Sequence, residues 1–112
     1  MTAIEWRDIL GWERATCWVI AQEVCRRAGL ILPSIGAYDR ARDDLGPAIE
    51  EVAAPNKIGD LIAADPTKKG YASHVAVVVE PGYALSATVV HGPYCWPIAR
   101  MPHDRGYWRV RQ

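Results

Sequence analysis

The run Ser73–Glu80, SHVAVVVE, constrains the fold more than any other stretch of the chain. It is rich in β-branched residues and closes on Pro81-Gly82, so it reads as a strand that ends in a tight turn. Tyr83 to Val90 follows as its hairpin partner. Asp60 to Ala64 reads as a short strand before this pair, and Tyr94 to Ala99 and Gly106 to Val110 as strands after it. Upstream the spacing of apolar residues changes. Trp18, Ala21, Val24, Cys25 and Ala28 recur at helical intervals within Arg14 to Ala28, and Gly29 ends that helix. Thr16 is placed to cap it, which puts Cys17 at or near the first helical position. A shorter helix is expected over Ala3 to Leu10. Pro33 to Pro55 is polar and broken, with a short helix expected around Leu45 to Val52. Helices grouped before an antiparallel sheet predict an α+β fold.

At 112 residues the chain has the size of one domain. Such a domain buries roughly two thirds of its unfolded surface, so disulfides are not required. Thirteen basic against thirteen acidic residues leave no net charge, which argues against an electrostatic grip on nucleic acid. Charge is uneven all the same. Asp39 to Glu51 is acidic, and Arg100, Arg105, Arg109 and Arg111 face only Asp104; both runs read as solvated surface. The amino terminus lacks the pattern of a secretory signal, and no segment approaches the ~20 apolar residues of a membrane span. The expectation is a protein soluble as made. Cys17 and Cys25 stand about 12 Å apart along one helix, too far to bond, so the three cysteines read as reduced thiols.

Those thiols raise the question of reactivity. Amides at a helix start carry partial positive charge, which favours thiolate over thiol and can also hold an oxyanion, so Cys17 is the candidate nucleophile. Its candidate base is His74, which opens an apolar strand where a core position would ordinarily be Val or Ile. A nucleophile on a helix and a base on a sheet edge form the arrangement of papain-like thiol hydrolases. Other sets are weaker. His91 and Cys95 offer two metal ligands without a second pair, so neither a metal nor another cofactor is expected. Cys25 and Cys95 read as packing residues, and His103 as an exposed turn residue.

The run ATCWVIAQEVCRRAGLILP resembles the nucleophile helix of the NlpC family of papain-like cell-wall peptidases, especially the small members found in phage tails. IGDLIAAD resembles the family's glycine-aspartate strand, and SHVAVVVEPGYALSA its histidine strand and hairpin. The resemblance continues through Gly92, Pro97 and GYWRV, leaving Ile35 to Pro55 uncovered. It implies an NlpC-type fold, with amino-terminal helices packed on an antiparallel sheet. It places Cys17 at the nucleophile and His74 at the base. The third residue, which orients the histidine ring, falls on Ser86, with His91 as the competitor. An offset of five from Ser86 would put His91 on the other strand face unless a turn intervenes. Thr16 replaces an aspartate common in the family, and Val19 a small residue. Asp60 also matches a family position, and reads from chemistry as a turn or strand-start residue.

The resemblance implies hydrolysis of an amide in peptidoglycan stem peptides, next to a D-glutamyl or diaminopimelate residue. Trp12 and Trp18 flank the nucleophile in sequence and are candidate walls of a substrate groove, with core packing as the alternative. The implied setting is a phage tail, with tail hub or tail-tip proteins as partners and a location in the virion, or in the cytoplasm before assembly. Two other readings stand beside it: a structural or wall-binding tail protein without turnover, and a bacterial amidase toxin of the same chemistry.

Overall fold

Thr16 opens the helix α1 (Cys17–Arg27) from an extended backbone, its hydroxyl accepting the Val19 amide at 3.2 Å. The helix ends on Gly29, at φ +81°, where the amides of Gly29 and Leu30 turn back to the carbonyls of Arg26 and Cys25 at 3.0 and 2.8 Å. That is the Schellman arrangement, and it selects glycine because a side chain is strained in the left-handed region. The computed structural model describes residues 3–13, 15–34, 48–68, 74–88 and 90–111. Within them the remaining regular elements are β1 (Ile49–Val52), β2 (Leu61–Ala64), β3 (His74–Glu80), β4 (Tyr83–Thr88), β5 (Gly92–Pro97) and β6 (Tyr107–Val110), with 3-10 turns at Arg7–Gly11 and Ile98–Arg100. Among the described residues, one α-helix and a six-stranded antiparallel sheet make a mixed α+β structure. No helix among the described residues is long and apolar enough to cross a membrane.

The sheet order is β1-β6-β2-β3-β4-β5. Strands β2 to β5 follow one another as neighbours, and β6 then inserts between β1 and β2, pairing Ile49 with Val110 and Leu61 with Trp108. Strand β3 is apolar along its length because both of its faces are covered. Val75, Val77 and Val79 join Leu85, Ala87 and the α1 residues Ile20, Ala21 and Val24 in one core cluster. Ala76 and Val78 join Ile62, Ala84 and Met101 in a second. The edge strand β5 carries Pro93 and Pro97, which cannot donate to a further strand. Gly59, at φ +94°, lets the chain pass under Leu30, whose Cδ1 would lie 2.7 Å from an added Cβ.

Three expectations are corrected. The segment Ala3 to Leu10 is not an α-helix; only Arg7–Gly11 coils, as a 3-10 turn. A segment so short does not nucleate α-helix unaided, and tertiary anchors hold it instead. Arg27 binds the Asp8 carboxylate at 2.7 and 2.9 Å and the Glu5 carbonyl at 3.0 Å, and the Trp6 indole donates to Glu80 at 3.0 Å. The helix expected around Leu45 to Val52 is strand β1 from Ile49 onward, because pairing with β6 overrides the local preference; residues 45–47 lie outside the described residues.

The carboxy-terminal arginines are not all solvated surface. Arg109 grips both oxygens of Asp60 at 2.8 and 2.7 Å, and Arg105 reaches Asp65 at 3.2 Å, and both aspartates are buried. Asp60 also accepts the Lys57 amide at 3.0 Å, the turn role expected of it. Because Asp60 precedes β2 and Arg109 belongs to β6, their pair ties the inserted strand to the sheet centre. Arg109→Met strands a carboxylate that is 1% exposed, and should lower stability by about 3 kcal/mol in urea unfolding. Asp60→Asn in the same background should recover part of that loss.

Candidate functional site

The cap at Thr16 sets Cys17 as the first residue of α1. Thr16 takes two first-turn amides, Val19 through its hydroxyl and Ile20 through its carbonyl at 3.1 Å. His74 is the first residue of β3, paired with Ala64 of β2. Cys17 and His74 line the same cavity, of about 780 Å³, together with Trp12 and Glu13 from the segment before α1 and Thr88 and His91 from the end of β4 and the following turn.

Nε2 of the imidazole is met by two hydroxyls. Ser86, fully buried in β4, donates its proton to the Val75 carbonyl at 2.7 Å and lies 3.1 Å from His74 Nε2. Tyr94 of β5 places its phenol oxygen 3.0 Å from the same nitrogen. Since the only hydroxyl proton of Ser86 is committed to Val75, its oxygen meets Nε2 as an acceptor. Nε2 therefore carries the ring hydrogen, and the neutral ring keeps its lone pair on Nδ1. No carboxylate bonds the ring among the described residues, and burial pushes the His74 pKa below the ordinary histidine value.

Of the two residues weighed for orienting the ring, Ser86 touches it. His91 sits in the β4–β5 turn, exposed, its amide donating to the Thr88 hydroxyl at 3.0 Å, so the strand-face rule does not apply to it. Tyr94 was not singled out from the sequence. The signal for it is strand register: Ser86 pairs directly with Tyr94, which puts the two side chains on one face beside His74. Reading the strand on through Val90 hides that register, because β4 ends at Thr88 and β5 begins at Gly92.

Trp12 is half-buried and lines the cavity while packing on the core. The groove role assigned to Trp18 is corrected: it is 8% exposed, lies in the core and donates its indole N–H to the Pro33 carbonyl at 3.0 Å. Cys25 is fully buried, and burial with the nearby Asp60 charge pushes its thiol up to about 12. Burial also raises the Cys95 thiol. No cluster of His, Cys, Asp or Glu among the described residues is placed to hold a metal ion.

A second cavity, of about 800 Å³, is lined by Asp60, Arg109, Asn56 and Lys57. The Asp60 and Arg109 charges there are spent on each other, and no Cys, Ser, Thr or His is among its described lining residues. The arrangement able to activate a thiol is the cavity at the start of α1. Compared with protein-family models, curated proteins and solved structures, the chain matches none.

Two measurements check this geometry. Iodoacetamide near pH 7 should label Cys17 before Cys25 and Cys95, followed by peptide mass mapping; equal, slow labelling of all three would remove the case for an activated thiol. The ring protons of His74 should titrate with a midpoint below about 6.5 in an NMR pH series. Because the folded value is depressed, the stability contributed by the neutral ring is complete above about pH 6.5 and is lost as pH falls through the folded midpoint.

Proposed function

We propose that the protein is a thiol-dependent amidase of the NlpC, papain-like type, acting on peptidoglycan stem peptides. The observation that carries this reading is a helix-start cysteine and a histidine lining one cavity, with the histidine's Nε2 held by hydroxyls so that Nδ1 is the basic atom. In the proposed cycle, His74 Nδ1 takes the Cys17 proton and the thiolate attacks the amide carbonyl carbon. The amides of Cys17 and Trp18 receive the oxyanion. The imidazolium then protonates the departing amine, and water releases the acyl group from the sulfur. Nε2 keeps its hydrogen throughout.

The setting that best unites this chemistry with the sequence resemblance is a phage tail component that opens the wall locally, with tail hub or tail-tip proteins as its neighbours. The neutral hydroxyls around His74 favour one second reading, a tail or wall-binding protein with weak turnover, since a hydroxyl supports an imidazolium less than a carboxylate does.

Digestion of purified peptidoglycan, with fragments identified by mass, separates the two. Wild type should release stem-peptide fragments, Cys17→Ala none, and Ser86→Ala roughly 10- to 100-fold less. Absence of release by wild type between pH 5 and about 9, a window spanning histidine and thiol titration, would favour the binding reading.

A further inference from the structure

We infer that Tyr94 is a second positioning residue for the His74 ring, sharing with Ser86 the task of holding Nε2–H while Nδ1 exchanges protons. The inference rests on the amidase reading for its catalytic meaning, but the contact it concerns is independent of substrate. The phenol oxygen lies 3.0 Å from Nε2, slightly closer than the Ser86 oxygen at 3.1 Å. The two rings are nearly parallel, 8° apart, with centroids separated by 6.5 Å. At that separation the phenol meets the imidazole through its hydroxyl rather than face to face. A parallel ring presents the hydroxyl close to the plane in which an imidazole N–H points.

Each oxygen alone leaves the ring a degree of freedom. Ser86 is locked to the Val75 carbonyl and settles which nitrogen holds the hydrogen. Tyr94 reaches the same nitrogen from the neighbouring strand, so rotation of the imidazole in either direction breaks one of the two contacts. Trp96, two residues along β5, meets Tyr94 edge to face at a centroid distance of 5.8 Å. The sharing of one N–H between two acceptors supplies, more weakly, part of what a carboxylate would. Both oxygens favour the imidazolium over the neutral ring, because a hydrogen bond accepted from a cation is the stronger one. Among the described residues, the titratable side chains around the shared cavity besides His74 are Cys17 of α1, Glu13 before it and His91 of the β4–β5 turn.

The test is the titration of His74 by NMR in wild type, Tyr94→Phe and Trp96→Phe, alongside a pH–rate profile on peptidoglycan. Tyr94→Phe should lower the His74 midpoint by roughly half a pH unit and move the acid limb of kcat/KM with it. It should cut kcat about tenfold with KM little changed. Trp96→Phe, which leaves the Nε2 contact in place, should keep the midpoint near the wild-type value and shows whether repacking alone moves it. An unchanged or raised midpoint in Tyr94→Phe overturns the inference, a raised one because it would mean that the phenol donates to Nε2. A lowered midpoint in a protein that releases no fragment would uphold the positioning role and defeat the amidase reading. Fragment release with an unmoved midpoint would do the reverse.

Discussion

Burial of β3 on both faces is the constraint from which the rest of the molecule follows. A strand covered on one side by α1 and on the other by the Ile62, Ala84 and Met101 cluster has to lie inside the sheet, with partners on each edge. Its neighbours β2 and β4 are therefore obligatory, and its first residue, His74, is fixed where a buried strand emerges. The imidazole is thus carried by a strand buried on both faces, and its burial is a by-product of the same packing. Burial favours the neutral ring, and a neutral ring is what a proton acceptor requires.

Polar groups in this interior are few and each has a stated use. Among the described residues Asp60, Asp65 and Ser86 are the buried polar side chains. Asp60 and Asp65 are matched by Arg109 and Arg105, which knit the last strand and the loop before it to the strands around β2. Ser86 is matched by a backbone carbonyl and by His74. The first two serve architecture and the third serves the cavity, a division that follows from charge. Buried carboxylates need cations and so attract arginines, whereas a buried hydroxyl can be satisfied by backbone and still present a lone pair to a ring.

The α+β class, the helix cap at Thr16, the stop at Gly29 and the run of β3 were legible in the chain because each depends on local chemistry: a hydroxyl ahead of an apolar helical face, a glycine at its end, a block of β-branched residues before Pro-Gly. Elements that depend on distant partners were misread. Strand β1 owes its extended form to β6, some sixty residues away, and the Arg7–Gly11 turn owes its place to Arg27 and Glu80. The arginine-rich end was misread for the same reason, since the carboxylates that neutralise Arg105 and Arg109 lie far off in sequence.

The sequence by itself determined the reactive types and their local settings: a cysteine at a helix start, a histidine at the head of an apolar strand, a serine on the strand after it. It could do so because capping and strand alternation act over a few residues. Only the tertiary structure decided that Cys17 and His74 share a cavity, that Ser86 rather than His91 meets the ring, that Tyr94 joins it, and that Trp18 belongs to the core. Those outcomes rest on strand order and on the register across the β4–β5 turn. A shift of one residue in that register would have sent Tyr94 to the opposite face.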